Sequence, residues 1–261
     1  MGTFHGGDFN TAIDGLNRKL SDLSVLFDSA TIRSLERLKW GSDFSIEAIM
    51  DITPVLAASI GIGYLRRNVD TVGELEVTGI GSSSLALKPT FTAIPIELNV
   101  HYAVPFAPSF NVTFKAGGSY YLGKCDFSVR EEEKLGEMLV AWDYSKGTAS
   151  AASLGLQGGI GLEYRLSEGI GLFLEATGRY AKLNNWKFDG RYEDYQGTSQ
   201  TLKGTWYHAD IYDESTEDYY ASILIDDETP SGWHLRNVRK AEINYSGLCF
   251  KVGVKIRLGQ K

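Results

Sequence analysis

Four histidines, His5, His101, His208 and His234, are the side chains of this sequence best suited to moving a proton near neutral pH. A hydrolytic site would set one of them beside a serine, with a carboxylate to orient the ring. No local run provides that grouping, so no catalytic residue is assigned and an enzyme is not expected. The acidic stretches at 213–218 and 226–228 do not have the spacing of a calcium loop, which needs a central glycine and a distal glutamate. They read as solvated loop, with a divalent-cation site as the sharper alternative. Cys125 and Cys249 show no metal-ligand spacing and nothing that favours a disulfide. Gly61/Gly63 and Gly159/Gly161 fall inside strand-like segments with no helix following, so they do not cradle a nucleotide phosphate. No metal and no cofactor is expected.

One set of charges does form a pattern: Glu47, Asp51, Glu97, Lys115, Glu163, Arg165, Glu175, Arg179, Lys251, Lys255 and Arg257. All share one parity of segments that alternate with period two. Five are acids and six are bases. A nearly balanced set withdrawn from water can neutralise itself, which isolated buried charges cannot do. The chemistry implied is mutual pairing inside an enclosed space.

The elements that would position them are strands. Over 92–102, Ile94, Ile96, Leu98, Val100 and Tyr102 oppose Ala93, Pro95, Glu97, Asn99 and His101. The same alternation recurs over 44–52, 56–64, 110–120, 154–166, 170–180 and 248–258. Each clean run has the length of about 9 to 11 residues that a tilted strand needs to cross a bilayer. The connections alternate between short and long. Thr53-Pro54-Val55, 104–108 and Ser167-Glu168-Gly169 are short; 7–38, 66–88, 123–152 and 182–241 are long. All long loops therefore lie at one end. A helix is expected over 8–23 from Phe9, Ile13, Leu16, Leu20 and Leu23, covering the barrel mouth, with Ile32, Leu35 and Leu38 adding a further turn or two. The first strand, 1–6, looks cut short, and the chain opens without a signal peptide.

Composition narrows the classes. With 43% hydrophobic and 23% charged residues the chain is not disordered. A net charge of −7 without a basic run excludes a nucleic-acid partner. No apolar stretch reaches the length of a membrane helix. A soluble barrel with its apolar face inside also fits simple alternation. The polar parity decides for the inverse arrangement: it is rich in glycine and small residues with charges of both signs, suiting a narrow interior, while the apolar parity carries no charge, suiting lipid. Tyr102, Phe106 and Tyr164 beside the short turns, and Tyr64, Tyr120 and Tyr180 near the long loops, form two interfacial bands.

The opening Phe4-His5-Gly6-Gly7-Asp8-Phe9-Asn10, Ile60-Gly61-Ile62-Gly63-Tyr64, Gly159-Ile160-Gly161-Leu162-Glu163-Tyr164 and the closing 252–258 resemble the small bacterial outer-membrane β-barrels, the outer-membrane protein beta-barrel domain group with OmpW-like and opacity-like porins. The chain departs from them in ending on Gly259-Gln260-Lys261 rather than an aromatic residue.

The expectation is one all-β domain over 1–261, an antiparallel up-and-down transmembrane barrel of about eight strands. The first strand is truncated, a short helix lies in the first external loop (7–39), and the last external loop (182–241) is long. A bacterial outer-membrane location follows. Lipid and lipopolysaccharide are the expected partners, together with a small-molecule ligand; a monomer is favoured. The resemblance implies a pore or carrier for small, apolar molecules. The alternatives are an adhesin or envelope interaction protein that transports nothing and, more remotely, a lipid-modifying enzyme. Within the bore, simple closure of the 104–108 link sets Tyr102 opposite Phe110, Leu98 opposite Phe114 and Glu97 opposite Lys115; Glu175 and Lys251 are a second pair.

Overall fold

A computed structural model describes residues 2–3, 5–25, 27, 29–167 and 169–256. Met1, Phe4, Glu168, Arg257 and the closing Gly259-Gln260-Lys261 lie outside the described residues, so the expectations placed on them are not addressed.

Eight strands pair in sequence around a ring. They are β1 (Gly2–Thr3), β3 (Trp40–Asp51), β4 (Leu56–Asn68), β7 (Thr90–Ala107), β8 (Phe110–Leu135), β9 (Met138–Arg165), β10 (Ile170–Leu183) and β16 (Gly247–Ile256). Gly2 pairs with both Gly41 of β3 and Cys249 of β16, which returns the ladder to its start. All pairings are antiparallel. The β3–β4 turn is tight because Thr53 closes it twice: its amide donates to the Leu56 carbonyl at 2.9 Å and its hydroxyl accepts from the Leu56 amide at 3.0 Å.

The strand count departs from expectation: the described residues form sixteen strand segments, not about eight. The segments read as long loops are largely strand. β8 and β9 run on for 26 and 28 residues, far past bilayer thickness. The 66–88 link holds β5 (Thr71–Val77) and β6 (Gly81–Leu87), and β6 pairs with the outer half of β8. The 182–241 link holds β11 (Lys187–Asp194), β12 (Ser199–Asp213), β13 (Asp218–Asp226) and β14 (Leu235–Lys240), built onto β9. β2 (Ala30–Arg33) pairs β5, and β15 (Ile243–Asn244) pairs β10. Ile32 thus lies in a strand and Leu35 and Leu38 in an extended link, not in helical turns.

Helix α1 (Asp8–Ser24) forms where periodicity placed it. Gly7 precedes it at φ +55, and a Cβ there would lie 2.3 Å from the Glu242 carbonyl oxygen, so glycine is required twice over. The helix lies between the two terminal strands of the outer sheet, β13 and β2. On the β2 side, Asn17 bonds both backbone groups of Leu35 (2.7 and 2.9 Å), and Asn10 bonds both of Leu38 (3.0 Å each). On the other side, Gly15 packs against Ala221 of β13, Lys19 meets Asp213 at 2.5 Å, and the Tyr220 hydroxyl donates to Asp22 at 2.8 Å. Two sheet edges that would template further strands are covered by one helix.

The outward and inward series exchange character along each long strand. In β8, Phe114, Tyr120 and Leu122 face out and are exposed, but Lys124, Asp126 and Arg130 follow on the same parity. The inward parity runs from Lys115 and Ser119 to Tyr121, Cys125, Phe127 and Val129. Below the switch the protein is apolar outside and polar inside; above it the arrangement is that of a water-soluble domain. From Ile94 to Val104 of β7, ten residue steps tilted by roughly 40° span about 25 Å, the height of a lipid-facing band. Among the described residues, no helix is long and apolar enough to cross a membrane.

Candidate functional site

The site is the bore. Alternation aims Glu47 of β3, Ser59 of β4, Glu97, Asn99 and His101 of β7, Lys115 of β8, Gln157 of β9 and Glu175 of β10 into a shared layer. The Lys115 ammonium, whose side chain is 4% exposed, lies 3.2 Å from Glu47, 3.7 Å from Glu175 and 3.9 Å from Glu97. Gln157 donates to Glu97 at 2.9 Å and to Asn99 at 2.7 Å; Asn99 donates to Glu47 at 2.8 Å, and Thr177 to Glu175 at 2.6 Å. One cation thus holds three carboxylates, and amide and hydroxyl donors add further hydrogen bonds to them.

Glu97 does not face Lys115 directly. Glu97 pairs with Ser119, Lys115 with His101, Tyr102 with Phe114 and Leu98 with Gly118. The expected register is four residues out because the strands continue to Ala107 and Phe110, with an irregularity between Pro105 and Ala107. A shift by an even number keeps every side chain on its face, so Glu97 and Lys115 still meet diagonally. Glu175 does pair directly with Lys251. The Lys251 ammonium turns to Ser45 Oγ at 3.2 Å.

The other expected residues distribute along the axis. Lys255 and Glu163 meet at 2.9 Å toward the short-turn end. Asp51 and Arg165 are exposed at that end. Above the central layer, Arg179 meets Asp43 at 2.6 Å, both side chains nearly fully buried, and donates to the Tyr245 carbonyl at 3.0 Å. Asp43 and Gln157 were not singled out from sequence, although both lie on the inward parity.

The fold brings a serine, a histidine and an acid together that no local run provides. Ser59 Oγ lies 2.8 Å from His101 Nε2, and Glu47 Oε1 lies 3.1 Å from that same nitrogen. The three residues are separated by 12 to 54 positions and meet only because β3, β4 and β7 are neighbours. The geometry is not that of a charge-oriented nucleophile. In that arrangement the acid holds the far ring nitrogen; here acid and serine share one nitrogen, and the Ser59 hydroxyl donates to Glu47.

Above these ion pairs the bore is filled by apolar side chains. Leu65, Phe91, Ala93, Cys125, Ala181, Leu183 and Trp186 are buried together. Phe9 of α1 meets Phe91 edge-on at 5.1 Å, Phe91 meets Trp186 at 6.2 Å, and Trp186 stacks on Trp206 at 5.8 Å. Cys125 and Cys249 are free thiols, both buried. Outside the membrane band, Lys19 holds the Asp213 carboxyl down to about 2, and the Asp143 carboxylate accepting from Tyr192 pushes that phenol up to about 12. Of the histidines in the outer part, His208 sits between Asp8 and Asp210 at 3.8 Å from each, and His234 lies against Trp233.

Apolar outside, charged and self-neutralising within, and capped by a packed outer domain, the chain has the organisation of an outer-membrane barrel. The family model for the outer membrane protein beta-barrel domain matches residues 15–208, and the chain belongs to that family, whose place is the bacterial outer membrane. Neither the curated proteins nor the solved structures yield a match.

Proposed function

We propose that this is an eight-stranded transmembrane barrel, sealed rather than open, that serves as a rigid mount for an outer β-domain presenting a recognition surface. The observation that carries this reading is the double filling of the bore. An ion network crosses it at mid-height, and an apolar core capped by α1 occupies its outer end. An interior of about eight strands is just wide enough for side chains to fill. Passage of small molecules is disfavoured by that filling, and catalysis by the shared contact of Ser59 and Glu47 with one His101 nitrogen. Liposomes carrying the purified protein should take up small neutral solutes no faster than protein-free liposomes. Uptake that rises with the amount of protein would return the chain to the porin class.

A further inference from the structure

The place where the outward series changes from apolar to polar has a definite charge. On β4, β7, β8 and β9 the first outward residues beyond the apolar band are Arg66, Thr92, Lys124 and Ser150, and Lys187 of β11 follows. They form one continuous row of ladder partners: Arg66 with Thr92, Thr92 with Lys124, Lys124 with Ser150, Ser150 with Lys187. Every member carries a hydrogen-bond donor and none is a carboxylate. Cations alternate with hydroxyls, so successive cations stand two strands apart, roughly 10 Å. Arg66, Lys124 and Lys187 are exposed. The next row below is apolar, with Ile94, Leu122 and Ala152 paired in turn. The nearest acids, Asp126 and Asp189, lie one row further from the band, where Asp126 meets Lys124 at 2.8 Å and Asp189 meets Lys203 at 3.2 Å. That leaves the row with net positive charge on a chain whose total is −7.

We propose that Arg66, Lys124 and Lys187, with Thr92 and Ser150 between them, form a binding rim for the phosphorylated headgroup of an outer-leaflet glycolipid whose acyl chains lie on the apolar band beneath. The inference rests on the transmembrane reading above. Lipid, not free phosphate, is the ligand because the cations adjoin an apolar surface: anion and chains are both accommodated only when joined in one molecule. Cationic groups at this depth meet headgroup phosphates directly, each contributing a modest, additive attraction. A wide, open row suits a lipid annulus rather than a small molecule, which requires a concave site.

The test is native mass spectrometry of the full chain released from micelles doped with bis-phosphorylated lipid A, with the same glycolipid after dephosphorylation, and with excess inorganic phosphate. The wild type should retain the phosphorylated lipid. The triple variant Arg66→Gln, Lys124→Gln, Lys187→Gln should retain about tenfold less or weaker still. The corresponding Lys124→Arg, Lys187→Arg variant should retain it as the wild type does. Inorganic phosphate should not compete. Equal retention by the glutamine variant, equal retention of the dephosphorylated lipid, or displacement by inorganic phosphate would each overturn the proposal. If the triple variant does not fold, the three single glutamine variants decide by the same readout. Resistance of the chain to carbonate extraction reports the transmembrane reading separately, so a lost rim and a lost membrane span give different results.

Discussion

The ammonium of Lys115 lies 3.9 Å from the Glu97 carboxylate although neither residue faces the other across the β7–β8 ladder. That contact is diagonal between neighbouring strands, whereas Lys115 reaches Glu47 of β3 and Glu175 of β10 across the bore. A single buried cation therefore joins strands on different sides of the bore.

Removing that cation should be costly. Lys115→Met leaves three carboxylates facing one another without a counter-charge, and losing one partner of a buried pair costs about 3–5 kcal/mol. Unfolding in urea from lipid vesicles should show a loss of that size, larger still for Lys115→Glu. Adding Glu97→Lys to Lys115→Glu should restore part of it. Independent, additive effects in this cycle would show the network to be uncoupled.

The apolar band gives a prediction of opposite sense on the other parity. Leu98, 63% exposed, faces outward at mid-band. Leu98→Arg should destabilise the vesicle-embedded protein by about 2–4 kcal/mol. A change within about 0.5 kcal/mol, normal for a water-facing surface, would place this face in water.

Helix α1 should come away without the barrel. A Cβ on Gly15 would lie 2.5 Å from the Ala221 carbonyl oxygen. Gly15→Val should weaken docking by about 1–3 kcal/mol. Hydrogen exchange should then speed up in 8–24 and in β13 while β3, β4 and β10 keep their protection. Unchanged exchange in α1 would show that the helix can shift to accommodate the side chain.

The same helix carries a pH signature. Lys19 lowers the Asp213 carboxyl to about 2, below its unfolded value of about 3.9. The stabilisation this gives is fully present above the unfolded value and is lost as the pH falls through about 2. Docking of α1, followed by exchange, should show this contribution at pH 5 and lose it between about pH 4 and 2. Lys19→Met should remove that component of the pH dependence. An identical acid profile in the variant would assign the effect to other carboxylates.

The membrane half of the fold was legible because a lipid-facing surface must stay apolar over a fixed height. That constraint writes period two plainly through residues such as Ile94, Ile96, Leu98 and Val100. The outer half is not legible in the same way because the outward parity turns polar after Leu122, which reads as the end of a lipid-facing strand. The signal continues in Cys125, Phe127 and Val129 against Lys124, Asp126 and Arg130, with the wet face now outside. The inward charges were identifiable by parity alone. Their partners were not, since β7 and β8 run on to Ala107 and Phe110, which moves the register by four residues and leaves parity unchanged. The meeting of Ser59, His101 and Glu47 depends on three strands lying side by side, which local spacing does not encode.

The central claim is that the bore is closed, and planar-bilayer recording of the purified monomer tests it most directly. A bore crossed by the Lys115 network and filled above by Phe91, Leu183 and Trp186 should give no stable open level, with conductance far below that of a 16-stranded porin. Large, long-lived openings from the monomer, unchanged when α1 is locked in place, would contradict it.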